Sequence, residues 1–464
     1  NQEGWEKGNI WENINLFGEL ILKLNIALIG TSFFYTINRV ALKLFEVLSL
    51  WILVFLLPKE DIALIGISVG FISILNILNL SPYRRIFKSY EQIKDRLNDH
   101  VSAYILFWGL KSIAMFLLAI IAGIFYITIG YPQELFIVLN GLVLAYLFGN
   151  LQLLMQEVFF VKFKQKTATL FNVLSMIVFL ASLLLLVLYP SVEFYVTLIV
   201  LKAVITAAGF IVLSKTDIGF IFSVSRDAKK LVEDAIREFA IYDHVIGASI
   251  ELVSKVFLFV LGFFVVKAVV GDYTIALSLV NFLTFFPLII YRTTMLAITR
   301  TSTVEGLEKV LSAFTKYAVI FSAIQYVVFL LVLKFIINNV VHDGVGDIWI
   351  YAAMLGLGVT VFSAGQPIHA VALLRADISE YFNKIILPIT GIAVVGYVIA
   401  AYFSQPIFTG VIFISAAIII NVLAYLHIKK HAKVRIRKQF IYPEEKEAIR
   451  HLLAKIGVVE KNKA

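Results

Sequence analysis

Residues 33–61 read FFYTINRVALKLFEVLSLWILVFLLPKED, an apolar run long enough to cross a membrane that nevertheless contains Arg39, Lys43 and Glu46. At about 100° per residue in a helix, these three charges fall on one stripe. On insertion scales each charge costs roughly 2.5–3.5 kcal/mol at the centre of a lipid-facing helix. We therefore expect this stripe to face other protein or water rather than lipid.

The composition of the whole chain indicates a membrane protein. Of its 464 residues, 60% are hydrophobic and 15% are charged, and the mean hydropathy is +0.91. A hydrocarbon core of about 30 Å requires about 20 apolar residues per crossing. Twelve such runs are predicted, at 30–57, 62–80, 102–129, 135–160, 168–189, 192–213, 239–268, 273–298, 312–337, 347–373, 384–403 and 407–428. The sequence thus predicts an all-α polytopic membrane protein with about twelve transmembrane helices.

Lysine and arginine collect in alternate loops, as the positive-inside rule requires. One set of loops contains Arg84, Arg85, Lys88, Lys94, Arg96, Lys162, Lys164, Lys166, Lys215, Arg226, Lys229, Lys230, Arg237, Arg300, Lys309 and Arg375. The opposite set offers little beyond Lys59 and Lys267. This pattern predicts a multi-pass protein of the cell membrane with both termini in the cytoplasm. The net charge of +9 is then mainly a topology signal, and we expect no nucleic-acid partner.

The two halves of the chain echo each other. Lys43 and Lys255 are 212 residues apart, as are Glu60 and Asp272, and six spans follow six spans from the same starting side. Such a parallel repeat places two lobes around an axis along the membrane normal. The predicted units are an interfacial amphipathic segment (1–29), an N-lobe (30–213), a cytoplasmic linker (214–238), a C-lobe (239–428) and a basic tail with a short helix (429–464).

The seventh span repeats the charged stripe of the first, with His244, Glu251 and Lys255 on one side of the helix. Each half would then present a charged helix to a central cavity. Two or three cations in such a cavity suit a diphosphate, because a charge pair at 4 Å gives about 4 kcal/mol at an effective dielectric constant near 20. The candidate diphosphate-binding residues are Arg39, Lys43, Lys255 and Arg292.

Acidic residues in the same spans allow other interpretations. Glu46, Asp243 and Glu251 are candidates for binding a driving H⁺ or Na⁺. Alternatively, Lys43 with Glu46 and Glu251 with Lys255 form structural ion pairs. Other cations near span ends, Arg292 among them, can extend to the interface instead of binding substrate.

Helix breakers in the second half mark candidate hinges. Pro287, Gly365 and Pro367 interrupt the eighth and tenth predicted spans. Gly66 and Gly70 in the second span are expected to form a close-packing face rather than a binding site.

Several activities are not predicted. There is no P-loop motif and no H-E-x-x-H motif, the seven histidines do not show metal-binding spacing, and no extramembrane segment is large enough for a catalytic domain. We expect a protein that is not an enzyme and has no metal or cofactor, apart from the coupling ion considered above.

Four stretches resemble a known family: LSLWILVFLLPKEDIALIGISVGFISILNILNL, SPYRRIFKSYEQ, EVFFVKFKQKTATLFNVLS and GDYTIALSLVNFLTFFPLIIYRTTMLAITR. They are similar to the multidrug/oligosaccharidyl-lipid/polysaccharide (MOP) exporter superfamily, and most of all to its O-antigen and polysaccharide flippases. The resemblance covers about residues 30–430.

The resemblance implies two six-helix lobes around a V-shaped cavity, with alternating access that moves polyprenyl-linked oligosaccharide to the outer leaflet. In such flippases, cationic residues of the first helix bind the lipid diphosphate. Arg39 and Lys43 occupy the first helix of this chain. The implied partners are the lipid-linked oligosaccharide, the bilayer and glycan-assembly enzymes. Two alternatives stay open: an ion-coupled multidrug or metabolite antiporter of the same fold, and a membrane-embedded enzyme or assembly scaffold.

Overall fold

The computed structural model describes residues 34, 37–38, 40–42, 44–46, 48–80, 82, 85–86, 89–237, 241–299, 301, 303–340 and 345–437. The predicted amphipathic segment 1–29 and the tail beyond 437 lie outside these residues, as do Arg39 and Lys43. The described residues contain helices and no strand. The chain is a multi-pass membrane protein.

The first half contains helix α1, to which the described residues between 34 and 56 belong, a short helix at Tyr90–Ile93, and five longer helices. These are α2 (Lys59–Leu78), α3 (Leu97–Thr128), α4 (Gln133–Val161), α5 (Gln165–Leu183) and α6 (Val192–Leu213). A π-helical turn, Ser214–Ile218, extends α6, and a short helix α7 (Ala228–Ala235) follows in the predicted linker. The second half consists of α8 (Ile241–Phe264), α9 (Lys267–Val280), α10 (Phe285–Thr299), α11 (Val304–Val340), α12 (Val345–Ala364), α13 (Gln366–Arg375), α14 (Ile378–Tyr381), α15 (Leu387–Tyr402) and α16 (Ile407–His431).

Ten helices among the described residues are long and apolar enough to cross a membrane, and they coincide with ten of the twelve predicted spans. The first predicted span lies partly outside the described residues. The eighth, 273–298, is not one helix, because a 3₁₀ turn at Asn281–Thr284 separates α9 from α10. Pro287 lacks the N–H that would bond the carbonyl of Leu283, so the α-helical ladder cannot run through this point.

Local sequence explains where the helices begin and end. Pro58 and Pro132, both extended, precede α2 and α4, and acidic residues occupy the first turn of each helix. Ser191 caps α6 by accepting the backbone N–H of Phe194 at 3.2 Å. Gly130, with φ of +94°, follows α3 in a left-handed conformation that a side chain would strain.

The two halves pack against each other mainly through α2. This helix contacts both α8 and α9, whereas α4 packs with α3 and α6 in the first half and α12 packs with α11 and α16 in the second. A separate apolar cluster joins the start of α3 to α7 and to the ends of α4 and α6. The linker helix therefore covers the first half, while the boundaries of the two lobes stay predictions.

The two ends of the bundle differ in charge. We call the end that carries Lys59 and Asp272 the Lys59 end. The opposite end carries Lys162, Lys166 and Arg226, and we call it the basic end. The charge pattern predicts that the basic end faces the cytoplasm.

Candidate functional site

Helix α1 has one exposed apolar face and one face that turns into the bundle. Ile37, Leu44 and Phe55 are exposed on the first face. At about 100° per residue, Leu50 and Leu57 lie on the opposite face, and both are buried. The face opposite to the exposed apolar residues is therefore the one that turns inward.

Glu46 lies on this inward face and is nevertheless exposed. The bundle is thus open beside Glu46. It is closed beside Leu50, about one turn from Glu46 toward the Lys59 end, and beside Leu57, about three turns from Glu46 in the same direction. Helical spacing predicts that Arg39 and Lys43 continue the same stripe toward the basic end. At Glu46 the charged stripe of α1 accordingly borders an open space that closes toward the Lys59 end.

Glu46 also has a cationic neighbour within the first half. It lies within electrostatic range of Lys202 on α6, whose ammonium is 4.9 Å from the centre of the Phe179 ring. The predicted alternative partner, Lys43, lies outside the described residues. The structure therefore adds Lys202 to the polar groups around the α1 stripe.

The charged stripe of α8 faces α2 of the other half. Lys255 Nζ is 2.5 Å from one carboxylate oxygen of Glu251, so the predicted structural ion pair is present. The side-chain amide of Asn76 on α2 donates a hydrogen bond to the other oxygen of Glu251. His244 Nε2 lies 2.9 Å from the backbone carbonyl oxygen of Asn76.

The network continues into the first half through a tyrosine on α4. Tyr146 Oη donates to Asn76 Oδ1 at 2.7 Å and accepts from the side-chain amide of Asn79 at 2.6 Å. The side chains of Glu251 and Lys255 are 32% and 28% exposed, so water reaches this network from one side. We call it the Asn76 cluster; its members are Asn76, Asn79, Tyr146, His244, Glu251 and Lys255.

Asn76, Asn79 and Tyr146 were not among the predicted site residues, because neither asparagine nor tyrosine carries charge. A usable signal was present: Asn76 and Asn79 are three residues apart in an otherwise apolar span, so they share one helix face. The structure shows that this face contacts the α8 stripe.

The Lys59 end is closed by direct contact between the halves. Lys59 Nζ on α2 is 2.8 Å from the carboxylate of Asp272 on α9. Toward the middle of α2, a β-carbon on Gly66 would collide with Thr274. A β-carbon on Gly70 would lie 2.5 Å from the backbone nitrogen of Phe259 on α8. The prediction that the two glycines form a close-packing face is confirmed.

The remaining predicted site residues are only partly described. Asp243 and Arg292 lie in α8 and α10, but their side chains are outside what the structure describes. Pro287 is buried in the first turn of α10. Gly365 separates α12 from α13, and Pro367 stands in the first turn of α13, so a helix break exists at each hinge candidate.

A second polar network is buried in the second half. His369 Nδ1 lies 2.6 Å from Tyr381 Oη, and His369 Nε2 lies 2.9 Å from Asn421 Oδ1. Gly365 allows Asn421 to approach, because a β-carbon there would collide with the Asn421 amide. This network ties α13, α14 and α16 together.

Two histidines lie at a spacing that could bind a metal, contrary to the prediction from the sequence. His427 and His431, one turn apart on α16, come within 4.8 Å of Glu380 on α14. The Glu380 carboxylate also bonds Lys384 at 2.9 Å and Lys430 at 3.2 Å. Because both ammonium groups would repel a divalent cation, we treat this group as an ion-pair network between α14 and α16.

Comparison with solved structures identifies the fold. The eukaryotic MATE transporter AtDTX14 matches with a TM-score of 0.56 and 14% identity, over 94% of this chain and 99% of that chain. Lipid II flippase MurJ in an inward-closed conformation gives a TM-score of 0.58 and 13% identity, over 85% and 87%. An inward-facing multidrug resistance MATE family transporter of the MOP superfamily gives 0.57 and 14%, over 86% and 99%.

No protein-family model matches the sequence, and neither does any curated protein. The structural matches confirm the predicted MOP and MATE fold. They include both a flippase and multidrug transporters, so the fold agrees with both transporter functions that the sequence analysis left open.

Proposed function

We propose that this chain is a flippase that moves a polyprenyl-diphosphate-linked oligosaccharide from the cytoplasmic to the outer leaflet by alternating access. The observation that carries the proposal is the inward face of α1. Glu46 is exposed there while Leu50 and Leu57 are buried, which indicates an open space along the stripe that also contains Arg39 and Lys43.

The charges along this space favour an anionic ligand. Arg39, Lys43 and Lys255 outnumber the two acids of the same stripes, Glu46 and Glu251. Glu251 is bonded to Lys255, and Lys202 is near Glu46, so both carboxylates have cations beside them. A diphosphate would gain from the net positive charge, whereas a lipophilic cation would be repelled.

The described contacts also suit alternating access. The halves are closed at the Lys59 end by the Lys59–Asp272 pair, the glycine contacts join α2 to α8 and α9 nearer the middle of α2, and the α1 stripe is open beside Glu46. With the basic end in the cytoplasm, this conformation would receive substrate from the inner leaflet. Arg292 is a further cation that we assign to the diphosphate in another stage of the cycle.

Coupling to an ion gradient would involve the Asn76 cluster. Protonation of Glu251 would remove the charge that holds Lys255, and would weaken the bond from Asn76 that links the halves. Glu46 and Asp243 are the other acidic candidates for H⁺ or Na⁺.

An ion-coupled multidrug antiporter is the second candidate. The exposed carboxylate of Glu46 favours it, since a cationic drug could reach that group from the open space. MATE transporters are also among the structural matches.

Ligand-induced thermal stabilisation of the purified protein separates the two candidates. A polyprenyl-diphosphate sugar and a lipophilic cation are compared on the parent chain, on Arg39→Ala and on Lys43→Ala. A ligand at 100 times its Kd adds about 2.7 kcal/mol to the free energy of unfolding. Lys309→Ala, which removes a cation on α11 near the basic end, is the matched control.

We expect the diphosphate lipid to stabilise the parent and Lys309→Ala, and to stabilise Arg39→Ala and Lys43→Ala much less. Stabilisation by lipophilic cations alone, equal in all four proteins, would replace the flippase with the antiporter.

A further inference from the structure

Residues 162–166 comprise the turn between α4 and α5 and the first two residues of α5, and one of them, Phe163, has an unusual backbone conformation. Phe163 has φ of +55°, a region that glycine adopts freely and bulky residues avoid. The N–H groups of Phe163 and Lys164 bond back to the carbonyls of Phe160 and Phe159 at 3.1 and 2.9 Å, which is a helix-closing motif that normally uses glycine. Phe163 is 46% exposed, so burial in the protein core does not explain why a phenylalanine, and not a glycine, stands at this position.

The segment after α6 also exposes large apolar side chains. Residues 220–227 are neither helix nor strand except for the turn at their end, and they directly follow the last turn of a predicted membrane span. Ile221, Phe222 and Val224 are 66%, 50% and 66% exposed. Three large apolar side chains thus project from one short irregular segment.

Contacts on both sides hold this segment in place. Phe220 is buried in the apolar cluster beneath it. The backbone N–H of Ser223 donates to Ser102 Oγ at 3.0 Å, and Asp227 lies 3.6 Å from Arg96. The outward direction of the apolar side chains is therefore fixed by the fold.

Both segments lie at the basic end of the first half. α4 contacts the π-helical turn Ser214–Ile218 that leads into the second segment. Within 162–166 and 214–230 there are two acidic residues, Asp217 and Asp227, and seven cations: Lys162, Lys164, Lys166, Lys215, Arg226, Lys229 and Lys230. The apolar side chains are thus surrounded by a net positive charge.

We propose that these two segments form a lipid-binding anchor, in which Phe163 and Phe222 insert at the boundary between head groups and acyl chains and the lysines bind anionic phospholipid head groups. Apolar side chains flanked by lysines are the combination that attaches protein segments to anionic membrane surfaces. The loops continue transmembrane helices, so the bilayer surface is within reach of both.

Site-directed spin labelling tests the insertion directly. The chain contains no cysteine, so single-cysteine variants of the full protein can be labelled at Phe163, Phe222 or Glu233. In vesicles of phosphatidylcholine and phosphatidylglycerol, labels at 163 and 222 should collide more often with oxygen than with a water-soluble nickel complex. The label at Glu233, which is 49% exposed on α7 and outside both segments, should show the opposite preference. Aqueous behaviour at both 163 and 222 would overturn the proposal and point to a protein partner.

Two variants test the role of charge and of the ring. In detergent, phosphatidylglycerol should raise the melting temperature of the parent more than phosphatidylcholine does. The triple variant Lys162→Gln, Lys164→Gln, Lys166→Gln should lose this difference, and Phe163→Gly should reduce it. Phe163→Gly should melt no lower than the parent in phosphatidylcholine, because glycine accepts φ of +55° without strain. A phosphatidylglycerol effect retained in full by both variants would contradict the proposal.

Discussion

At the scale of single residues, Asn76 connects the two halves. Its side chain contacts Glu251 of α8 and Tyr146 of α4, and its backbone carbonyl contacts His244. The spacing of Glu251 and Lys255 was sufficient to predict their ion pair. The orientation of that pair depends on Asn76, which is distant in sequence and carries no charge.

A double-mutant cycle on Asn76→Ala and Glu251→Gln measures this link. We expect Asn76→Ala to lower the free energy of unfolding by about 1 kcal/mol, since Glu251 keeps Lys255 and partial access to water. The coupling between the two changes should also be about 1 kcal/mol in reversible unfolding measurements.

Ser175→Ala is the control for this cycle, because Ser175 Oγ donates only to Phe171 of its own helix, at 2.9 Å. Its effect should add to that of Glu251→Gln. Strict additivity of Asn76→Ala with Glu251→Gln would show that the contact does not join the halves.

At the scale of elements, prolines determine where the second half departs from continuous helices. α10 begins at Phe285 before Pro287, α13 begins at Gln366 before Pro367, and α15 begins at Leu387 before Pro388. In each case the preceding segment is a 3₁₀ turn, a helix end or a π turn. A proline removes one backbone donor, so the ladder is interrupted just upstream. The breaks at Pro287 and Pro367 were predicted from the sequence, but the form of each break was not.

Pro287→Ala should restore the missing backbone bond and extend α10 toward α9. Proline is less favourable than alanine in a helix interior by about 3 kcal/mol, so there is a driving force for the extension. Amide exchange at residues 281–286 should slow in this variant.

Pro132→Ala is the matched control, because Pro132 precedes α4 and interrupts no helix. It should leave amide exchange in α4 unchanged. Unaltered exchange at 281–286 in Pro287→Ala would mean that tertiary packing, and not the proline, maintains the break.

At the scale of the whole molecule, α2 is the helix about which the halves are arranged. Its glycines allow backbone approach to α8 and α9, and the Lys59–Asp272 pair closes one end. In the predicted repeat, Glu60 of the first half corresponds to Asp272 of the second half. The structure shows that the neighbouring Lys59 bonds Asp272, which joins the corresponding helices α2 and α9 at their first turns.

Gly70→Ala should separate α2 from α8 near the middle of α2. The added methyl group would meet backbone atoms of Phe259, which cannot rotate away, so α2 and α8 must separate. A single cysteine at Ile67, buried in the parent, should then react several-fold faster with a polar maleimide.

Gly149→Ala in α4 is the control, because a β-carbon there meets nothing within 4 Å. It should not change the reactivity at position 67. Equal labelling in Gly70→Ala and Gly149→Ala would show that the glycine contact does not keep α2 and α8 together.

The sequence by itself determined the class of the protein and most of its membrane spans. Hydrophobic runs, alternating basic loops and charges such as Arg39 inside a span are local properties, and their cost in lipid does not depend on distant contacts. The break at Pro287 was also readable, because a missing N–H acts on its own helix.

Only the tertiary structure decided which charges meet and where the bundle is open. The Asn76 cluster, the Lys59–Asp272 pair and the exposed position of Glu46 all depend on how α1, α2, α8 and α9 pack together. Helical periodicity fixes the face on which a residue lies, but not the helix which that face contacts. That pairing is set by close packing between residues up to 213 positions apart, as for Lys59 and Asp272, and no local pattern in the sequence records it.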